Sequence, residues 1–173
     1  MMVFLFSIVA QWFSRGAFLQ IFFQQEEDLF LISIFLGSVI LSSPIQGYMS
    51  DLTSRKKVIV LALLASIISL LIMLFGPRVT SLKFPIICGV AAVVNGVFGN
   101  VFPASGAGLS ERTGEEKRSL LYSVLFRYLG LGVGALMPLP QMSKLVFAVS
   151  LVTVALLWVI WDIEDGEIVL DKS

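Results

Sequence analysis

Two arginines, Arg15 and Arg127, stand inside long apolar runs that contain no Asp or Glu. A guanidinium is always charged, and its planar fork of N–H donors matches a carboxylate or a phosphate. At the centre of a helix in lipid it costs about 2.5–3.5 kcal/mol, so it must meet backbone carbonyls, water or a counter-charge. Two readings therefore stay open: each arginine is paired or snorkels within a bundle, or the missing counter-ion is an anionic solute. Gln11 and Gln20 lie on the run that carries Arg15, and Asn95 and Asn100 lie on another. Arg15, Gln11, Asn95 and Arg127 are the candidate solute-binding set. Trp12 and Phe13 could line a cavity, but aromatics in spans are common and packing is the favoured reading.

Other chemistry is excluded by residue type. The chain has no His and one Cys, Cys88, so a zinc site, a His-based triad and an internal disulfide are not expected. Cys88 sits among apolar residues and reads as a small buried hydrophobe. No metal or cofactor is expected. Without His or a pair of carboxylates inside an apolar run, an intramembrane enzyme is disfavoured. Lys+Arg 12 balances Asp+Glu 12, which leaves no basic excess for nucleic acid.

The elements that must position these residues follow from composition and length. Of 173 residues, 57% are hydrophobic and 14% charged, against about 45–50% and about 25% for soluble domains. The mean hydropathy is +0.94. Crossing about 30 Å of hydrocarbon takes roughly 20 helical residues. Six runs of that size occur, at Met1–Phe23, Leu29–Met49, Val58–Gly76, Phe84–Gly106, Leu120–Leu139 and Lys144–Trp161. They predict an all-α membrane protein with six spans over residues 1–161, followed by an acidic tail over 162–173. Met1 to Ala10 lack a basic leading region, and no cleavage site follows, so the first run reads as a span rather than a signal peptide.

Positive residues near span ends remain on the cytoplasmic side. One set of connectors and tails carries Arg55, Lys56, Lys57, Arg112, Lys117, Arg118 and Lys172, and the other only Arg78, Lys83 and Lys144. The connector between the second and third spans is thus expected inside, together with both termini. Trp158 and Trp161 fit an interfacial anchor near the inner end of the last span.

That connector has the sequence Gly47-Tyr48-Met49-Ser50-Asp51-Leu52-Thr53-Ser54-Arg55-Lys56-Lys57. It resembles the hairpin signature of the major facilitator superfamily at the same place between the second and third helices. Gly47, Asp51, Arg55, Lys56 and Lys57 match, while Leu52 replaces the usual basic residue and Ser54 the usual glycine. The run Asn95-Gly96-Val97-Phe98-Gly99-Asn100-Val101-Phe102-Pro103, followed by Glu111 and Arg118, is similar to the fourth helix and fourth-to-fifth hairpin of that family. The arginine that the family often carries within this helix for proton coupling has no counterpart between Phe84 and Gly106.

The resemblance implies one six-helix half, of the N-terminal type, of a transporter that works by alternating access. A small solute, held near the midplane between two bundles, would be the cargo. Members that carry organic phosphates resemble this chain in having a first-helix arginine. The expected partners are the bilayer, the solute, and a second bundle that is either another copy or a separately encoded half, in the inner or plasma membrane. The hairpin residues Gly47, Asp51, Arg55, Lys56, Lys57, Glu111 and Arg118 would close the cytoplasmic face. Arg55 or Lys56 would meet Glu111, and Asp51 would meet Arg118 or a helix end. Residues at intervals of four, Asn95, Gly99 and Pro103 and likewise Ala92, Gly96 and Asn100 on the fourth span, and Gly130 and Gly134 on the fifth, are expected to let helices approach closely. The alternative reading is a truncated, non-transporting remnant or an accessory membrane subunit.

Overall fold

An apolar run in lipid must close its backbone hydrogen bonds within itself, and the helix is how a single segment does so. The computed structural model describes residues 2–24, 28–113 and 116–162, with side chains for all of these except 28 and 111–120. The described chain is helical: α1 (Met2–Phe22), α2 (Asp28–Leu52), α3 (Arg55–Val79), α4 (Phe84–Phe98), α5 (Phe102–Thr113), α6 (Glu116–Leu136) and α7 (Gln141–Asp162). No strand occurs among the described residues. Five stretches are long and apolar enough to cross a membrane, one of them being α4 and α5 together over Phe84–Ser110; the apolar part of α6, Leu121–Leu136, is shorter.

The structure departs from the expected spans in one place that matters. The fourth, Phe84 to Gly106, is two helices, since α4 stops at Phe98 and α5 starts at Phe102. Pro103 accounts for much of this, because it has no N–H to give to the carbonyl four residues earlier and its ring crowds that carbonyl. Gly99 caps α4, its N–H bonded to Asn95 O at 2.9 Å. The helix of the fifth expected span, α6, ends at Leu136, so Pro138 lies in a connector rather than in the helix. Most of the acidic tail, 163–173, and connector residues 25–27 lie outside the described residues.

The bundle is built around α1, whose residues are nearly all buried, whereas α2 is the helix most open on its outer side. α1 packs along α6 and α7, α2 along α4, and α3 along both α4 and α7. Glycine sets the distance between α1 and α6. A Cβ at Gly134 would fall 2.8 Å from the backbone carbon of Phe13, and one at Gly16 2.7 Å from the backbone nitrogen of Ala135. Backbone cannot yield as a side chain can, so only the missing Cβ permits this approach. Phe18, Phe22 and Phe35 form an aromatic cluster between α1 and α2, with ring centroids 5.8 to 6.4 Å apart. Helix hydroxyls are largely satisfied locally, as in Ser7 to Val3 O and Ser66 to Ala62 O, the economical arrangement for a hydroxyl in lipid.

Candidate solute-binding site

The interruption between α4 and α5 leaves backbone groups without their usual helical partners, and neighbouring helices supply replacements. From α2, Ser42 Oγ donates to Gly96 O at 2.7 Å, and Gln46 Nε2 donates to Val97 O. From α1, Arg15 Nη2 donates to Gly99 O at 3.1 Å, and Gln11 Oε1 accepts the Val101 N–H at 3.2 Å. Asn100 Nδ2 donates to Ser43 Oγ at 2.7 Å. Irregular backbone at membrane depth is tolerated where protein groups re-satisfy it in this way. These residues share faces by spacing: Gln11 and Arg15 are four apart on α1, as are Ser42 and Gln46 on α2.

Arg15 is fully buried. Its Nε donates to Asn95 Oδ1 at 3.2 Å, and Asn95 Nδ2 in turn donates to Ser69 Oγ on α3 at 3.1 Å. Nη1 has no partner. The Arg15 Cζ lies 4.5 Å from the centroid of the Trp12 ring, and the Arg127 Cζ lies 4.0 Å from the same ring. Phe35 is 5.6 Å from the first guanidinium and Phe102, at the start of α5, is 5.3 Å from the second. One indole thus faces two cations, an attraction worth about 2 kcal/mol or more each when water is excluded.

Among the described residues, the open buried atoms of α1 and α6 are donors, whereas on α2 the acceptor Gln46 Oε1 is also open. Gln11 Nε2, Trp12 Nε1, Arg15 Nη1 and Arg127 Nε are buried donors without a partner. No acceptor of α1 or α6 stands among the buried unpartnered atoms. Every Asp and Glu within the described helices lies in a first or last turn, so none reaches the guanidiniums from a helix interior. The N-terminus of α5, the positive end of a helix dipole, adds to the same side of the balance. The arrangement can hold a compact group that accepts hydrogen bonds and carries negative charge. The large apolar grooves on the outer surface include none of these residues.

Of the four residues expected to bind solute, the structure brings all four together. Arg15, Gln11 and Arg127 retain open donors, but Asn95 is engaged at both ends and serves to hold Arg15. Gln20 lies apart, bonded to Lys144 of α7. Of the glycines expected at helix contacts, Gly96 meets α2, where a Cβ would lie 3.1 Å from Phe35 O, and Gly130 meets α1, where it would lie 3.1 Å from Phe13 N.

The hairpin residues are elsewhere. Gly47 is on α2, where a Cβ would sit 3.8 Å from the Pro103 side chain, Asp51 is exposed at the end of α2, and Arg55, Lys56 and Lys57 open α3. Three cations in a first turn oppose the helix dipole, so helix stability does not account for their place. The side chains of Glu111 and Arg118 lie outside the described residues, and with them both expected hairpin contacts.

Sequence reasoning missed Trp12 as the shared platform, and it missed Ser42, Gln46 and Ser69. The interval of four that joins Ser38, Ser42 and Gln46 was the available signal for α2. Trp12 offered none, because an aromatic in a span is ordinary.

The description of the Major Facilitator Superfamily matches residues 1–166. No curated protein and no solved structure gives a significant match.

Proposed function

Because the chain belongs to the Major Facilitator Superfamily, we propose that it carries a small anionic solute across a membrane by alternating access, paired with a second six-helix bundle. It is an integral, multi-pass membrane protein; the plasma membrane is the proposed site. The observation that carries the anionic cargo is the buried guanidinium of Arg15, open at Nη1 and sharing Trp12 with Arg127, with no carboxylate in the interior of any described helix.

In this mechanism the anion takes the open donors of Arg15, Arg127, Trp12 and Gln11. Arg15 and Gln11 each hold the α4–α5 interruption with one end of the side chain and face the solute with the other. Solute binding is thereby tied to the position of α1 against α4 and α5, and differential contact between the two states is what shifts an alternating-access equilibrium. The Asp51 hairpin closes the cytoplasmic face. The second bundle covers α6, where Gly132 has nothing within 4 Å of a Cβ position. Glycine within a helix costs about 1 kcal/mol relative to alanine, and no neighbour inside this bundle requires it at that position.

The test is thermal stabilisation of the purified protein by phosphate, a sugar phosphate, a dicarboxylate and an uncharged sugar, followed by uptake of the stabilising compound into vesicles. Stabilisation by an anion that is lost in both Arg15→Gln and Arg127→Gln supports the proposal. Equal stabilisation by the uncharged sugar, or retention of the anion effect in both variants, overturns it.

A further inference from the structure

Two apolar grooves lie side by side on the outer surface, at the end of the bundle where α3 leaves and α4 enters. One, of about 570 Å³, runs between α2 and α4 past Phe30, Ile34, Gly89 and Val93. The other, of about 480 Å³, runs between α3 and α4 past Leu71, Phe75, Val79 and Leu82. Val90 of α4 lines both, so a single helix ridge separates them. Their volumes fall within the range of about 300–1,000 Å³ typical of small-molecule sites. Such sites usually add a few polar groups that fix orientation. Here two cations adjoin the lining in the chain at one end. Arg78 precedes Val79, a lining residue, and Lys83 follows Leu82, another; both cations are exposed. They belong to the face that the positive-inside count leaves poor in cations. Lys83 is also the N-cap of α4 and makes no side-chain cap.

We infer that these paired grooves hold one diacyl phospholipid with an acidic headgroup, a chain on each side of the α4 ridge and the headgroup phosphate against Arg78 and Lys83. Two chains joined at one headgroup match two grooves joined at one ridge, and the charge at the mouth selects an anionic head over a zwitterionic one. The inference is independent of the arginine site within the bundle, and either can fail without the other.

The experiment uses the full chain in nanodiscs of equal phosphatidylglycerol and phosphatidylcholine, extracted gently, with retained lipid counted by headgroup in native mass spectrometry. The expected result is at least a fivefold enrichment of phosphatidylglycerol. The double variant Arg78→Gln with Lys83→Gln, at exposed positions that leave the core untouched, is expected to bring the ratio to about one. Lys57→Gln, at the opposite end of α3, is expected to leave the enrichment intact. Gly89→Phe fills the first groove, where a Cβ would meet only Leu31, at 3.9 Å; it is expected to lower total retained lipid at least twofold. Glycerol phosphate without acyl chains is expected to displace nothing. No enrichment in the unmodified chain overturns the inference. So does equal loss in Lys57→Gln, or displacement by glycerol phosphate, which would point to a site for free phosphates.

Discussion

Arg15 donates from Nη2 to the carbonyl oxygen of Gly99 at 3.1 Å, and that carbonyl is the one an unbroken helix would have bonded to the residue at position 103. Position 103 is proline and has no N–H to offer. One residue type therefore creates the vacancy that a buried cation fills, and the cation is fixed in place with its remaining nitrogen open.

Replacing Pro103 with alanine restores the missing donor. Hydrogen exchange at residues 99–102 is expected to slow, and the melting temperature to rise, as α4 and α5 approach a continuous helix. Uptake of the stabilising anion is expected to fall at least tenfold, because Arg15 loses its seat at Gly99. Unchanged uptake with slower exchange would separate the interruption from transport.

Arg15→Lys keeps the charge but loses the fork that spans Asn95, Gly99 and an open nitrogen at once. Hydrogen bonds to charged groups are worth about 1.5–3 kcal/mol each, so the apparent affinity for the anion is expected to drop at least tenfold while the protein still inserts. Arg127→Lys is expected to drop less, since Arg127 holds no backbone group of the interruption in the structure. Titration of thermal stabilisation against anion concentration compares the two variants directly.

On α2, Ser42→Ala and Gln46→Leu each remove the donor to a backbone carbonyl of α4. An unsatisfied buried polar group costs about 1–3 kcal/mol. Each variant is expected to lower the melting temperature, and the pair to do so by less than the sum, because both act on one interruption.

Glycines that look alike in the sequence are expected to answer differently. Gly134→Ala places a methyl 2.8 Å from the backbone carbon of Phe13 and is expected to destabilise the bundle by about 1–3 kcal/mol, as overpacking does. Gly132→Ala meets nothing within 4 Å and is expected to leave this bundle as stable or more so. Gly132→Leu is expected to spare the bundle but weaken association with a second one, read as a shift in size in mild detergent.

Asp51→Asn is expected to leave insertion intact and abolish uptake in vesicles. Normal uptake by this variant would remove the hairpin from the mechanism.

Much of this was legible before any coordinates. Long apolar runs have a single way to satisfy their backbone, so the helices followed from composition, and the uncompensated charges of Arg15 and Arg127 singled out the two residues that share Trp12 in the candidate site. What could not be read was the interruption at Gly99 to Val101. The sequence there has glycine and proline, but Pro44 is carried inside α2 without ending it. Proline alone therefore does not decide whether a helix breaks, since the outcome depends on whether neighbours can satisfy what is freed. For the same reason the sequence did not show that Asn95, expected as a solute ligand, is bonded at both ends, to Arg15 and Ser69. A polar side chain has two ends, and the chain's order does not say which is already occupied.

The side chains that stabilise the interruption come from α1 and α2, both of which precede α4 in the chain. During synthesis from the N-terminus, Gln11, Arg15, Ser42 and Gln46 emerge before the segment that needs them. The broken helix then enters a bilayer in which its hydrogen-bond partners have already been made. A circular permutant that moved α1 to the C-terminus would contain the same bonds yet would present Gly99 and Val101 to lipid before their counterparts existed.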